Sequence, residues 1–212
     1  ERLQGLIQGL RKTGIAVEKA DRKKLDNLSK GSNHQGIILE VEMPAMRSES
    51  DLKSVVMAYD GVPFWLVLDH VQDPHNLGAC LRTADAVGAQ GIIITKDQAV
   101  GITPTVCKIA SGAAETVPVY EVTNLSRTLD WLKQQNIWVA GAAGEAEKTV
   151  YEMDINMPLA LVMGAEEKGL RRLTREQCDF LFKIPMAGSV DSLNVSVAAG
   201  VLMYEIFRQR LG

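Results

Sequence analysis

The sequence is poor in cysteine, which excludes two classes of protein. Its three cysteines, Cys80, Cys107 and Cys178, are widely separated and form no C-x-x-C pair. An odd number at such spacing is typical neither of a disulfide framework nor of a thiolate metal site. We therefore expect an intracellular protein whose thiols are reduced and buried.

Long apolar runs and an excess of positive charge are also missing. No run approaches the roughly 20 apolar residues that span a bilayer, and the first residues contain neither an initiator Met nor a signal-peptide segment. We therefore predict a cytoplasmic protein with no membrane partner, and expect that the chain is truncated at its start. The formal net charge of −3 means that nucleic-acid binding would need a local basic face.

Three common nucleotide and nucleophile fingerprints are absent. None of the 18 glycines is followed by another two residues later, so the G-x-G core of the dinucleotide motif is missing. The spacing of Gly164 and Gly169 superficially resembles a P-loop, but Leu170 and Arg171 replace its Lys and Ser/Thr. No G-x-S-x-G nucleophile elbow occurs. Rossmann-type, NTPase and α/β-hydrolase sites are all disfavoured.

A cluster of histidines and aspartates invites a metal hypothesis. Asp69, His70, Asp73 and His75 lie within seven residues, but their spacing matches no recognised ligand pattern. The aspartates are equally suited to turn formation ahead of Pro74. We predict that the protein holds no metal.

Apolar strands alternate with amphipathic helices over most of the chain. Hydrophobic residues make up 46% of the 212 residues, enough for one full domain and a small extra piece. The predicted strands are 64–68, 91–95, 117–122, 137–140, 159–162 and 182–185. The predicted helices are 77–88, one beginning after Pro104, 124–135 behind an Asn124 N-cap, one opened by Thr174 and Gln177 as a capping box, and 193–208. This order predicts an α/β fold with a mostly parallel sheet flanked by helices. Ligands of such sheets bind at the carboxyl ends of the strands.

The first 42 residues read as a separate small α/β piece. Helical periodicity in residues 3–10 and 21–28 and apolar runs at 15–17 and 37–41 predict two helices and two strands. A proline and small polar residues make 43–50 the predicted linker, with a second domain over 51–212. The basic residues of the first piece leave open a solvated helix face or an RNA-binding surface.

Polar residues interrupt an otherwise apolar stretch near the end of the chain. Ser189, Ser192, Asn194 and Ser196 fall within residues 184–200, and each needs a partner if it is buried. Ser192 could be the N-cap of the last helix. A bound ligand could equally supply some of the partners.

Three glycine-containing loops carry a family resemblance. The first has the pattern N-x-G-x-x-x-R at Asn76, Gly78 and Arg82, and the second has G-x-E-x-x-G-L at Gly164, Glu166, Gly169 and Leu170. The third is I-P-M-x-G-x-x-x-S-L-N-V-S over residues 184–196. In this order the loops resemble the motifs of the SpoU (TrmH) branch of the SPOUT RNA 2'-O-ribose methyltransferases. Residues 34–36 and 187–189 are similar to the bacterial members that methylate a guanosine of 23S ribosomal RNA.

The resemblance implies a fold, an activity and partners. It implies a SPOUT domain with a C-terminal trefoil knot, which general connection rules would exclude, and makes residues 1–42 part of an N-terminal RNA substrate-binding domain. It implies a homodimer that uses S-adenosyl-L-methionine, without metal, to methylate 23S ribosomal RNA in its peptidyl-transferase region. A transfer-RNA methyltransferase of the same family and a catalytically inert RNA-binding module remain the alternatives.

The resemblance also implies roles for individual residues. The expected catalytic residues are Asn76, Arg82, Glu166, Ser192 and Asn194. The expected cofactor-binding residues are Ala143, Gly144, Gly164, Ile184, Met186 and Leu193. Arg82 is either the base or a phosphate anchor, because a free guanidinium is effectively always protonated. Glu166 would orient Arg82 or Asn194.

Overall fold

The computed structural model describes residues 2–31, 33–165 and 168–211. The chain divides into two compact units, Glu1–Glu42 and Met43–Gly212. The described residues of the first unit form helices α1 (Arg2–Lys12) and α2 (Arg22–Leu28). Asp21 is the N-cap of α2, where its side chain accepts a hydrogen bond of 2.7 Å from the backbone N–H of Lys24.

The two strands predicted in the first unit are wrong. Residues 15–17 and 37–41 form no β-ladder among the described residues. Apolar β-branched residues favour extended backbone, but a strand also needs a neighbour that pairs its N–H and C=O groups. In the second of these segments Leu39 is 53% exposed and Val41 is 67% exposed, so burial of these side chains adds little to hold the segment extended.

The described residues of the second unit form a six-stranded sheet with helices around it. The strands are β1 (Phe64–Asp69), β2 (Gly91–Thr95), β3 (Val119–Val122), β4 (Trp138–Ala142), β5 (Leu159–Gly164) and β6 (Phe180–Phe182). The helices are α3 (Glu49–Ala58), α4 (Pro74–Ala86), α5 (Pro104–Ala110), α6 (Ala113–Thr116), α7 (Leu125–Gln134), α8 (Arg172–Gln177) and α9 (Val195–Arg210). A 3-10 turn covers Val150–Glu152.

The sheet is parallel throughout, with strand order β3-β2-β1-β5-β4-β6. Successive residues of β1 pack against different cores. Leu66 and Leu68 belong to the cluster that includes residues of α4 and α9, whereas Trp65 and Val67 belong to the cluster that includes residues of α3 and α7. Burial on both faces explains the unbroken apolar runs of β1 and β2. The predicted parallel sheet flanked by helices is confirmed.

Strand order creates a crevice between β1 and β5. The chain leaves β1 toward β2 on one side and leaves β5 toward the β4 and β6 side. Loops that diverge in this way open a space at the carboxyl ends of the two strands, where ligands of open α/β sheets bind. The carboxyl ends of β1 and β5 are therefore the first place to look for a site.

Several helix starts differ from the prediction because of capping. α4 begins at Pro74 instead of residue 77, since Asp73 accepts a hydrogen bond of 2.8 Å from the N–H of His75 and Pro suits the first turn. The capping box predicted at Thr174 is wrong, because α8 begins at Arg172 and Thr174 is buried within it. α3 was not predicted; a capping box of Ser48 and Asp51 opens it.

Within the described ranges, no helix is long and apolar enough to cross a membrane.

Candidate active site

A cleft of about 420 Å³ lies at the carboxyl ends of β1 and β5. Its lining includes Asp69 at the end of β1, Asn76 in the first turn of α4, and Val195 at the start of α9. Lys168 and Arg171, which follow β5, also line it. The cleft therefore joins three distant parts of the chain at the point where the strand order reverses.

Two asparagines from different helices meet at this cleft. The Nδ2 of Asn194 donates a hydrogen bond of 2.9 Å to the Oδ1 of Asn76, across 118 residues of sequence. Asn76 is only 4% exposed, so its amide is shielded from solvent. The first and third sequence motifs are thus linked directly.

Asn194 also begins α9. Its Oδ1 accepts hydrogen bonds from the N–H groups of Ser196 and Val197, at 3.0 and 3.3 Å, and from the Ser196 hydroxyl at 2.6 Å. The proposed Ser192 cap is therefore wrong, since the helix starts at Val195 and the adjacent Asn194 reaches its free N–H groups. Ser192 is exposed and donates a hydrogen bond of 3.1 Å to Asp191.

An ion pair between the buried Asp69 and the half-exposed Arg171 forms one wall of the cleft. The carboxylate of Asp69 is fully buried; its Oδ1 accepts a hydrogen bond of 2.8 Å from Nε of Arg171 and lies 2.8 Å from Nη2 of the same guanidinium. The Nδ1 of His70 lies 2.8 Å from the same oxygen, and the backbone N–H of Arg171 is 3.3 Å from Oδ2. A carboxylate with no exposure needs such partners. Asp69 therefore holds the Arg171 guanidinium in a defined direction.

The residues of the metal hypothesis have other roles. Asp69 pairs with Arg171 and Asp73 caps α4. In the part of the chain that the structure describes, no group of three or more His, Cys, Asp or Glu side chains is arranged to hold a metal ion.

Two of the thiols are chemically inert near neutral pH. Burial raises the pKa of Cys80 to about 12, and burial together with the nearby carboxylate of Asp179 raises the pKa of Cys178 to about 12. Thiolates, not thiols, are nucleophiles. Both side chains are therefore mainly protonated near neutral pH, which makes them poor nucleophiles.

A second cleft, of about 380 Å³, lies beside the first. It is lined by Thr95 at the end of β2, by Thr123 and Ser126 after β3, and by His70 and Arg171. The last two residues line both clefts. A single wall therefore separates two polar spaces at the same edge of the sheet.

The geometry agrees with a match to a known family. The model of the SpoU rRNA Methylase family matches residues 63–204, which contain the sheet, the asparagine pair and both clefts. The chain belongs to the SpoU rRNA methylase family. The resemblance inferred from the three loops is thus confirmed. A second family model, RNA 2'-O ribose methyltransferase substrate binding, matches residues 1–47.

Relatives of the SpoU family match along most of the chain. The 23S rRNA (guanosine-2'-O-)-methyltransferase RlmB of Haemophilus influenzae is 56% identical over 213 residues, covering 100% of this chain and 86% of that protein. RlmB of Shewanella oneidensis is 52% identical over 210 residues, covering 99% and 85%. The crystal structure of the SpoU methyltransferase AviRb from Streptomyces viridochromogenes with AdoMet has a TM-score of 0.70 at 30% identity, covering 76% of this chain and 65% of that one.

The structure brings together some of the SpoU motif residues and separates others. Asn76 and Asn194 are in contact, but Arg82 lies six residues further along α4, about 9 Å along the helix axis. Arg82 is exposed, and no hydrogen bond or ion pair joins it to any residue that the structure describes. Glu166 lies outside the described residues. The roles of these residues stay predictions.

The expected cofactor residues follow three neighbouring strands. Ala143 and Gly144 come after β4, Gly164 ends β5, and Ile184 and Met186 come after β6. Since β5, β4 and β6 are adjacent and parallel, their carboxyl ends share one edge of the sheet. Leu193 lies two residues before α9. A cofactor-binding role for this set stays a prediction.

Gly164 has a structural reason to be glycine. A Cβ atom there would overlap the carbonyl group of Gly169 and the backbone nitrogen of Leu170. The N–H of Gly169 donates a hydrogen bond of 2.8 Å to the carbonyl of Ala165, and Gly169 itself has a positive φ of 59°. The tight loop after β5 therefore needs both glycines for its own folding.

Sequence reasoning missed the Asp69–Arg171 pair. Asp69 was considered as a metal ligand or a turn residue, and Arg171 only as a departure from the P-loop pattern. One signal was present: Asp69 directly follows an unbroken apolar strand, where a carboxylate must find a partner. Sequence could not identify that partner, because it is 102 residues away.

Proposed function

We propose that this chain transfers a methyl group from S-adenosyl-L-methionine to the 2'-hydroxyl of a guanosine in 23S ribosomal RNA. The observation that carries this proposal is the Asn76–Asn194 hydrogen bond, which joins two family motifs beside a cleft at the switch point of the sheet. The identity of more than half of the residues to two proteins named as RlmB supports 23S ribosomal RNA as the substrate. We further propose a target in the peptidyl-transferase region.

The cofactor residues form a set suited to adenosine and a thioether. A Cβ on Gly144 would meet open space, Met186 is 37% exposed, and Ile184 is half-buried. Small and aliphatic groups of this kind let the backbone approach an apolar ring system closely. The bound cofactor supplies an electrophilic methyl group on a positively charged sulfur. We propose that Ala143, Gly144, Gly164, Ile184, Met186 and Leu193 hold it.

The chain's own residues must orient the ribose and accept its proton. The two amides of Asn76 and Asn194 are fixed by their mutual hydrogen bond and by the start of α9, which suits them to orient a hydroxyl group. Arg82 is exposed and has no protein partner among the described residues, so its guanidinium is available to RNA. We propose that it anchors a phosphate, since a guanidinium binds phosphate in a bidentate manner and is a poor base. Glu166 and Ser192 complete the proposed catalytic set.

The wider proposal covers domains, assembly and location. The substrate-binding family model over residues 1–47 supports an RNA substrate-binding role for residues 1–42, followed by a linker at 43–50 and the methyltransferase domain at 51–212. The match of the SpoU rRNA Methylase family model over residues 63–204 supports a C-terminal trefoil knot in this domain. We also propose a cytoplasmic homodimer.

Methyl transfer to defined RNAs tests the function. The protein is incubated with labelled S-adenosyl-L-methionine and in vitro transcripts of either 23S ribosomal RNA or transfer RNAs, and 2'-O-methylation is mapped. We expect incorporation at one guanosine of the 23S transcript. Incorporation only into transfer RNA would overturn the substrate, and RNA binding without incorporation into either transcript would favour the inert module.

A pair of asparagine variants controls this experiment. Asn194→Ala removes the link to Asn76 and should abolish incorporation. Asn156→Ala changes the same side chain at an exposed position just before β5, at the opposite edge of the sheet, and should leave incorporation unchanged. Equal activity of the two variants would contradict a role for the asparagine pair.

A further inference from the structure

The two clefts are neighbours with a shared wall. His70 and Arg171 line both the cleft at β1 and β5 and the cleft at β2 and β3. His70 has a left-handed backbone with a φ of 65°, which turns the chain sharply at the end of β1. Because the two clefts share these residues, Arg171 lies beside both of them.

The orientation of the Arg171 guanidinium is set before any ligand binds. The Nε of Arg171 donates a hydrogen bond to Oδ1 of Asp69, and Nη2 lies 2.8 Å from the same oxygen, so the guanidinium edge that carries Nη1 points away from the carboxylate. Nη1 makes no hydrogen bond to any described residue, and the side chain is 47% exposed. A guanidinium edge binds two oxygens of one phosphate in a bidentate manner. The buried carboxylate fixes the direction of that edge before any ligand arrives.

The second cleft offers further polar groups. Thr123 is exposed, and Ser126 and Thr95 contribute hydroxyl groups, although Thr95 already donates to the carbonyl of Asp97 at 2.9 Å. The carboxylate of Asp97 lies in the same lining, so the cleft is not strongly positive as a whole. Hydroxyl and carboxylate groups suit a ribose and base edges, whereas the phosphate binds at the arginine.

We propose that the second cleft receives the RNA nucleotide next to the one that is methylated, and that Arg171 binds the phosphate between them. This inference rests on the proposed function, because it takes the first cleft as the place of methyl transfer. Arg171 is then a substrate-anchoring residue, and Asp69 is a positioning residue that acts through it. The second cleft contributes to the choice of RNA sequence beside the target.

Variants of Arg171 and of the second cleft test this inference separately from the proposed function. Arg171→Ala should raise the KM for RNA about tenfold with little change in kcat, since a charged hydrogen-bonded contact to substrate is lost. It should also reduce the slope of log KM against log salt by about 0.7, the value for one phosphate contact in single-stranded RNA. Arg171→Lys keeps the charge but not the bidentate edge, so its KM should lie between those of Arg171→Ala and the wild type.

Thr123→Trp tests the second cleft without touching the ion pair. Thr123 is exposed, so the larger side chain fills the space with little effect on folding. We expect a similar rise in the KM for RNA. Arg127→Ala is the matched charge control: Arg127 is 67% exposed, lies 3.7 Å from the carboxylate of Glu49 and lines neither cleft. Its KM should stay unchanged.

Calorimetric binding of S-adenosyl-L-methionine to each variant reports whether the fold is retained. If the wild-type protein methylates RNA and both Arg171→Ala and Thr123→Trp have an unchanged KM for RNA, this inference is overturned and the proposed function stays intact. If Thr123→Trp alone has a normal KM, the second cleft does not hold RNA and the inference fails. A wild-type protein that neither binds nor methylates RNA would refute the inference and the proposed function together.

Discussion

At the scale of single residues, Asn194 combines two tasks that are usually separate. Its Oδ1 caps α9 and its Nδ2 holds the amide of Asn76. One side chain therefore couples the stability of a helix to the geometry of the candidate site. A substitution that keeps the helix cap but removes the hydrogen bond to Asn76 can separate the two effects.

Asn194→Asp should keep the cap and lose activity. A carboxylate accepts hydrogen bonds at a helix N-terminus as well as an amide oxygen does, but it has no N–H to donate to Asn76. We expect near wild-type unfolding free energy in urea and a large loss of methyl transfer. Asn194→Ala should lose transfer and also about 1 kcal/mol of stability. An active Asp variant would show that the asparagine pair is not needed.

Arg82 poses a different question, because no described residue holds it. If it anchors a phosphate, Arg82→Ala should weaken RNA binding, measured by filter retention, in parallel with the loss of methyl transfer. Arg82→Lys should restore part of the binding, because it keeps the charge. Lost transfer with unchanged RNA affinity would rule out simple anchoring and return the role of base to consideration.

At the scale of elements, the loop after β5 is built on close backbone contact. Gly164 and Gly169 approach so tightly that a single methyl group would not fit. The loop lies between β5 and α8 and carries Lys168, which lines the first cleft. The shape of this loop therefore determines where Lys168 lies in the lining of that cleft.

Gly164→Ala should disturb this loop and destabilise the protein by about 1–3 kcal/mol, the usual effect of overpacking. Gly144→Ala is the matched control for stability, because Gly144 also follows a parallel strand but its Cβ would meet nothing within 4 Å. Urea unfolding without ligand compares the two. Equal stability of both variants would mean that the loop adapts at little cost.

The whole molecule has its core in the second unit. Every buried hydrophobic residue found in the described ranges lies at or after Leu52, and both core clusters belong to residues 52–206. The unit over residues 43–212 therefore contains a complete sheet with its own helices. It has what a domain needs to fold alone.

We expect residues 43–212, expressed alone, to unfold cooperatively with a Tm close to that of the whole chain. They should also bind S-adenosyl-L-methionine with similar affinity by calorimetry. Affinity for 23S ribosomal RNA should fall, because the proposed substrate-binding residues 1–42 are removed. Full RNA affinity of the shortened protein would contradict the role proposed for residues 1–42.

Sequence by itself determined the class of sheet and the approximate positions of β1 to β5, because burial on both faces leaves an unbroken apolar run. It placed the last strand wrongly at 182–185, whereas β6 covers Phe180–Phe182. It also determined the family, through motifs whose residues can be read in order. Local capping was less certain: Asn124 was predicted correctly, whereas Ser192 and Thr174 were not. Several nearby polar residues compete for each helix start, and only the folded backbone selects one.

Tertiary structure alone decided which polar groups meet. The Asn76–Asn194 and Asp69–Arg171 contacts span 118 and 102 residues, and no local pattern encodes such a distance. They form because parallel strands bring their carboxyl ends to one edge of the sheet, and because buried polar groups must be paired there. The failure of residues 37–41 to form a strand has the same origin, since extended backbone becomes a strand only beside a partner.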